Sequence, residues 1–245
     1  MPFYRKPPKP LESAMVKQEL SFPSGTGTLP AFYARPEGGG PFPAVVVIHE
    51  IFGLNDQIKD VAARFAEAGY AALAVDLFGK GNRALCMARL MNGMLLHSLE
   101  HVGIRDLKAA LSFLAERPEV DAERLGAIGF CMGGGLAVAW ACTDDRLGAI
   151  APFYAMNPRP LEAVKRSCPV VGSYPEKDFT KGQGEKLAAA LEKYDVPHDI
   201  EVYGGAKHSF FNDQRGSYDA AASADAWART LSFFEAQLGE RKAAT

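Results

Sequence analysis

Apolar residues along this chain fall in short continuous runs, separated by stretches in which they recur every three or four positions. Runs such as Ala44 to Ile48 and Ala71 to Val75 have strand length and are typical of strands buried on both faces. Between these two runs, Ile58, Val61 and Phe65 share one helical face, and Gly69 ends that helix. The pattern predicts strands near 44–48, 71–75, 125–129, 149–154, 169–173 and 199–203, and helices near 58–68, 104–114, 133–142, 185–194 and 227–238.

Strands that alternate with helices in this way predict an α/β fold: a mostly parallel central sheet with helices on both faces and no large cap domain. The turn Gly38–Gly40 is the only plausible linker and follows an N-terminal pair of strands. We therefore expect an N-terminal arm and first strand over 1–26 and a single domain over 27–240. In such sheets the active site lies at the carboxyl ends of the strands.

Composition narrows the possible partners and cellular location. The chain has 245 residues, 48% of them hydrophobic, and a formal net charge of -2, which favours neither nucleic acid nor an anionic membrane. The basic, proline-rich start over 1–10 lacks a signal-peptide pattern, and no run is long enough to cross a membrane. The four cysteines match no zinc spacing, and there is no dinucleotide fingerprint. We expect a cytoplasmic protein without metal or cofactor.

The strongest chemical signal is the segment Gly129-Phe130-Cys131-Met132-Gly133. It has the spacing of the nucleophile elbow G-x-S-x-G, with cysteine in place of serine, between a predicted strand and a glycine-rich helix. A core cysteine beside a tight turn is the alternative, but the elbow spacing favours a nucleophile. At a helix N-terminus the macrodipole would also favour the thiolate.

Chain order predicts the base and the acid, because in this arrangement the nucleophile, acid and histidine follow one another. Of the histidines after Cys131, His198 precedes the last strand, whereas His208 follows it in a glycine-bearing segment. The acid should follow the strand near 169–173, where Asp178 is the first choice and Glu176 the second. The carboxylate would hold the imidazole tautomer. The oxyanion hole is predicted from the backbone N–H groups of Met132 and Ile51.

These segments resemble the dienelactone hydrolase family of the α/β-hydrolase superfamily. The resemblance is carried by the loop 49–54, the elbow 129–134, the turn 176–178 and the segment 208–212, and it extends from about Gly27 to the last helix. It implies hydrolysis of small esters or lactones without a cofactor, as a carboxymethylenebutenolidase-like esterase. It also implies that Cys131, Asp178 and His208 form a triad and that Glu50 helps to activate the thiol.

The chain departs from the family at the two arginines with which the founding members hold the substrate carboxylate. Lys80 or Arg83 stands near the first position, and Asn212 stands at the second. Neither lysine nor asparagine reproduces the bidentate geometry of arginine. Together with Tyr154 and Phe210, near strand ends, these three are the predicted substrate contacts.

Two further patterns leave alternatives open. His97-Ser98-Leu99-Glu100-His101 matches a zinc-peptidase pattern in which the two histidines share a helical face, but the match is weak and an exposed helix face is the favoured interpretation. The segment 85–96 carries Met87, Met91 and Met94 and would serve either as a lid over the site or as ordinary core.

Three functions remain compatible with the residues. The first is a cysteine hydrolase of small esters or lactones, acting as a monomer or small homo-oligomer. The second is a thioesterase or acyltransferase with the same triad. The third is a non-catalytic relative that binds a ligand or senses oxidants through Cys131.

Overall fold

The structure, a computed structural model, describes residues 15–79 and 81–239, and its centre is one eight-stranded sheet. The strands are β1 (Met15–Ser24), β2 (Gly27–Pro36), β3 (Phe42–Ile48), β4 (Ala71–Val75), β5 (Val120–Phe130), β6 (Leu147–Phe153), β7 (Val170–Lys177) and β8 (His198–Lys207). Their order across the sheet is β1-β2-β4-β3-β5-β6-β7-β8. β1 and β2 are antiparallel to their neighbours, and the six strands from β4 to β8 are parallel.

Six α-helices connect and cover the strands. They are α1 (Asp56–Glu67), α2 (Arg83–Leu96), α3 (Val102–Ala115), α4 (Met132–Ala141), α5 (Lys181–Lys193) and α6 (Ala220–Leu238), with a short 3-10 helix at Leu161–Arg166. Helices α1 and α6 pack on one face of the sheet, and α3, α4 and α5 pack on the other. Both faces are therefore buried, which explains the continuous apolar runs of the central strands.

Some elements begin earlier or end later than the hydrophobic pattern predicts. β5 starts at Val120 rather than Leu125, because its first residues pair with the start of β3 although several of them are exposed. β8 continues through Gly204 and Gly205 to Lys207, where the sequence predicts a loop. Ala122 and Glu123 in the added part of β5 are exposed, as are Gly204 and Gly205 in β8, so apolar spacing does not reveal these extensions.

The described part of the chain has no helix with the length and apolar character needed to span a membrane. The sheet places the ends of β3, β5, β6, β7 and β8 along one edge. The candidate site is built there.

Candidate active site

Cys131 lies in a strained turn between β5 and α4. Its backbone has φ 53° and ψ −112°, a conformation that non-glycine residues rarely adopt. The turn is possible because its neighbours are glycines: a Cβ on Gly129 would lie 2.2 Å from the carbonyl oxygen of Gly133, and one on Gly133 would lie 2.5 Å from that of Ile48. The Cys131 N–H donates to the carbonyl of Phe153 at 3.0 Å, which ties the turn to β6. The sequence spacing thus corresponds to a tight strand-to-helix elbow.

His208 and Asp178 form a hydrogen-bonded pair next to this turn. The distance from His208 Nδ1 to Asp178 Oδ2 is 2.6 Å. Because the carboxylate accepts, Nδ1 carries the proton and Nε2 is left as a base. Asp178 also accepts hydrogen bonds from Thr180 Oγ1 at 2.5 Å and from the Phe179 N–H at 2.8 Å, so its orientation is fixed.

The imidazole is held between two aromatic rings. Tyr154 lies 5.0 Å from it, measured between ring centroids, and Phe179 stacks on it at 5.6 Å. The alternative acid, Glu176, is exposed and accepts from the Gly205 N–H instead. Of the two candidate carboxylates, the structure brings Asp178 to His208.

Glu50 is a buried carboxylate beside the thiol. It follows β3 and is 2% exposed. Ser209 Oγ donates to Glu50 Oε1 at 2.7 Å, and Asn212 Nδ2 donates to Oε2 at 3.0 Å. Both donors come from the segment that follows His208. The same segment therefore carries the histidine and orients the Glu50 carboxylate.

The Cys131 thiol is protonated in this environment. Burial, the charge of Glu50 and, to a smaller extent, the charge of Asp178 raise its pKa to about 11, against an opposing contribution from the Met132 N–H. The expected contribution of the helix N-terminus is present, since the Met132 N–H lowers the thiol pKa, but burial and the two carboxylates outweigh it. No hydrogen bond joins the thiol to His208 within the described residues, although both side chains border the same cavity.

The loop after β3 presents the second predicted oxyanion donor. Buried His49 donates through Nδ1 to the carbonyl of Glu50 at 2.5 Å and accepts through Nε2 from the Leu77 N–H at 3.0 Å. Because a trans peptide directs its N–H opposite to its C=O, this fixes the direction of the Ile51 N–H. Ile51 and Met132 both border the cavity. Burial lowers the pKa of His49, which keeps the ring neutral in this role.

The cavity at this edge of the sheet has a volume of about 270 Å³ and mostly apolar walls. Met91, Met94 and Leu95 of α2 form one wall, so this helix covers the site as the lid interpretation predicts. Met87 and Met94 also pack against the core, so the segment has both of the roles considered. The remaining lining residues are Ile51, Ser98, Cys131, Met132, Gly135, Tyr154, Met156, Asn157, Arg159, Phe179 and His208.

Among the predicted substrate contacts that the structure describes, only Tyr154 borders this cavity. Arg83 is turned away, donating to the Phe52 carbonyl and lying over the Phe78 ring. Phe210 is fully buried in the core, and the Asn212 side chain donates a hydrogen bond to Glu50. Lys80 lies outside the described residues.

Neither Ser209 nor Arg159 is predicted from the sequence to have a role in the site. Ser209 follows the histidine directly and has a positive φ of 59°, a conformation that no sequence pattern reveals. Arg159 lies in a loop after β6 that has no motif. His97 and His101 belong to different elements: His97 ends α2, whereas His101 caps α3 by accepting from the Gly103 N–H at 3.1 Å. The described residues contain no group of three side chains placed to hold a metal.

A mostly parallel sheet with a strand-to-helix elbow, and with an acid and a histidine beyond it, defines an α/β-hydrolase. The dienelactone hydrolase family model matches residues 29–238, and the chain belongs to that family of ester and lactone hydrolases. It is 33% identical to a "putative carboxymethylenebutenolidase" of Saccharolobus solfataricus, over 89% of this chain and 98% of the relative.

Solved structures agree with this assignment. A crystal structure of a "putative dienelactone hydrolase" from Klebsiella pneumoniae has 32% identity and a TM-score of 0.78, covering 90% of this chain and 98% of that one. The dienelactone hydrolase-like promiscuous phosphotriesterase P91 from metagenomic libraries has 29% identity and a TM-score of 0.83, covering 92% of this chain and all of that one.

Proposed function

We propose that the protein hydrolyses small esters or lactones through a covalent thioester on Cys131. The observation that carries the proposal is one cavity bordered by the elbow thiol, by a histidine whose Nδ1 is held by Asp178, and by the two residues whose N–H groups form the proposed oxyanion hole. Acyl transfer needs each of these groups within reach of one carbonyl.

The proposed reaction has two half-reactions. The thiol proton passes to Nε2 of His208, directly or by way of the Glu50 carboxylate, and the thiolate attacks the ester carbonyl. The N–H groups of Ile51 and Met132 stabilise the tetrahedral oxyanion. His208 then protonates the departing alkoxide or enolate, leaving the thioester. Water, deprotonated by His208, attacks the thioester and releases the acid, and the thiol regains its proton.

The chemistry of the nucleophile favours some substrates over others. A thiolate leaves a tetrahedral intermediate more readily than an amine, so amides revert to reactants. Alkoxides and enolates of activated esters and lactones leave readily enough to compete. This supports the assignment of esters and lactones rather than peptides.

Tyr154 is the proposed polar contact for the substrate. Its hydroxyl is buried and approaches the Glu50 carboxylate without forming a hydrogen bond of normal geometry to any described residue. Burial, together with the charges of Glu50 and the Cys131 thiolate, raises the pKa of Tyr154 well above its ordinary value. The hydroxyl therefore stays protonated, and we propose that it donates to a substrate oxygen that enters the cavity.

An oxidant-sensing role fits the thiol less well. Sensor cysteines are exposed and have a low pKa, whereas burial and Glu50 raise the pKa of Cys131 to about 11. A thioesterase or acyltransferase activity needs the same groups and remains the second candidate. All four cysteines are free thiols, which supports a reducing location such as the cytoplasm.

The test is a combined turnover and trapping experiment. The protein is incubated with p-nitrophenyl acetate, a dienelactone and a thioester, release is followed, and adducts are located by peptide mass. We expect an acyl group on Cys131 and loss of ester turnover in Cys131→Ala. Cys142→Ala removes a buried thiol outside the site and is the matched control. Ester hydrolysis that survives in Cys131→Ala would sink the proposal, and preferential turnover of the thioester would favour the second candidate.

A further inference from the structure

The cavity has one polar corner, away from the catalytic pair in sequence. Ser98, at the end of α2, and Asn157 and Arg159, in the loop after β6, line it together. Most of the other lining side chains are apolar, among them Met94 and Met156. A substrate that fills this cavity therefore contacts the reacting groups, an apolar wall and the polar corner.

Arg159 is the permanently charged side chain among the described lining residues. Its guanidinium makes no ion pair and no hydrogen bond within the described part of the chain. By contrast, Arg146 pairs with Asp144 at 2.7 Å, and Arg124 pairs with Asp121 at 2.7 Å. An unpaired guanidinium at the edge of an apolar cavity is available for a carboxylate, which it binds through two parallel hydrogen bonds.

The loop that carries Arg159 is anchored on both sides. The backbone N–H of Arg159 donates to Ser98 Oγ at 3.2 Å, which ties it to the end of α2. Asn157 Nδ2 donates to the carbonyl of Gln183 in α5 at 2.8 Å. The backbone at this corner is thus held in place before a ligand binds, which reduces the ordering cost of binding.

We propose that Arg159 binds the carboxylate of an amphiphilic substrate, in which an apolar segment separates the reacting carbonyl from the anionic group. The inference rests on the proposed ester hydrolysis and specifies its substrate class. Asn212 cannot take this role, because it is buried and donates to the Glu50 carboxylate.

The experiment compares matched pairs of p-nitrophenyl esters that differ only in a terminal carboxylate: monoesters of succinic, glutaric, adipic and suberic acids against neutral monocarboxylic esters with the same number of carbons. We expect the anionic member to have the higher kcat/KM at one favoured length, at low ionic strength. The advantage should shrink as salt is added, because the Arg159 site is exposed.

Substitutions of Arg159 test whether this residue causes the preference for anionic esters. In Arg159→Gln the kcat/KM ratio of anionic to neutral ester should fall about tenfold through KM, the size typical of a charge-assisted contact. Arg159→Lys should keep part of the preference. Arg105→Gln makes the same charge change on the exposed side of α3 and should leave the ratio unaltered.

The outcomes separate the two proposals. Thermal unfolding at the wild-type Tm shows that Arg159→Gln is folded, and comparing the anionic and neutral esters within one protein cancels any general change in turnover. A ratio that is the same in the wild type and Arg159→Gln, or no preference for any anionic ester in the wild type, would overturn the assignment. Absence of turnover of both ester series would instead count against the proposed hydrolysis itself.

Discussion

The replacement Glu50→Gln separates two effects of one carboxylate. In the folded protein the charge of Glu50 helps to keep the thiol of Cys131 protonated, and in the proposed reaction the same carboxylate is a proton acceptor. Glutamine has nearly the same shape, and its amide can still accept from Asn212 and donate to Ser209, which bind the carboxylate now. The variant should therefore fold while losing the charge.

The size of the effect follows from the thiol pKa. At a pKa of about 11, roughly one thiol in ten thousand is ionised at pH 7, against about one in a hundred at the ordinary value of 9.0. Burial is the largest cause and is retained in the variant, and Glu50 is the second. If removal of the Glu50 charge lowers the pKa of the Cys131 thiol by one unit, the thiolate becomes about tenfold more abundant at pH 7.

Alkylation of Cys131 by iodoacetamide, followed by peptide mass from pH 6 to 10, measures this population. We expect Glu50→Gln to react about tenfold faster at pH 7 while its ester hydrolysis falls. The exposed carboxylate Glu176 gives the control variant Glu176→Gln, which should change neither rate. An alkylation rate equal to that of the wild type would refute the electrostatic argument, and undiminished hydrolysis would leave His208 as the base.

Three other changes have defined outcomes. Gly133→Ala should lower the free energy of unfolding by about 3 kcal/mol in chemical denaturation, since its Cβ meets main-chain oxygens at 2.5 and 2.6 Å, whereas Gly182→Ala has open space and should not. Tyr154→Phe should reduce kcat/KM about tenfold without lowering Tm, because the hydroxyl has no partner among the described residues; a lower Tm with normal turnover would contradict this. Burial lowers the pKa of His101 to about 4, so its contribution to stability is complete above pH 6.5 and is lost as the pH falls towards 4. His101→Asn, which keeps a capping side chain, should lose less stability over that interval, and equal losses in both proteins would exclude this histidine as the cause.

The elbow was predictable because its chemistry is local. A strand, a nucleophile and close glycines must occupy consecutive positions, so spacing alone identifies Cys131. Asp178 and His208 were predictable because each follows the end of a parallel strand, and the apolar runs locate these strands in the sequence. Their 2.6 Å contact joins residues thirty positions apart, yet both follow strand ends that share one edge of the sheet.

Contacts that depend on side-chain orientation were not predictable in this way. Asn212 was expected to touch substrate, yet it reaches back 162 positions to Glu50. Arg83 was expected near the substrate, but its guanidinium is drawn to the Phe52 carbonyl. The ionisation of Cys131 also depends on three-dimensional surroundings: the helix N-terminus is evident from the sequence, whereas the burial and the two carboxylates that overcome it are not.

The high pKa of the thiol is consistent with the proposed catalytic cycle. A thiolate reacts with oxidants whenever it is present, so a nucleophile that stays protonated between turnovers is protected. Once ionised, a thiolate of high pKa is intrinsically the stronger nucleophile. Glu50 then has a role both in the resting protein and in the substrate complex. Its charge keeps the proton on Cys131 at rest, and its oxygens can accept that proton when a substrate carbonyl arrives. The buried donors Ser209 and Asn212 keep this carboxylate in place, which explains why the segment after His208 is part of the site although it does not line the cavity.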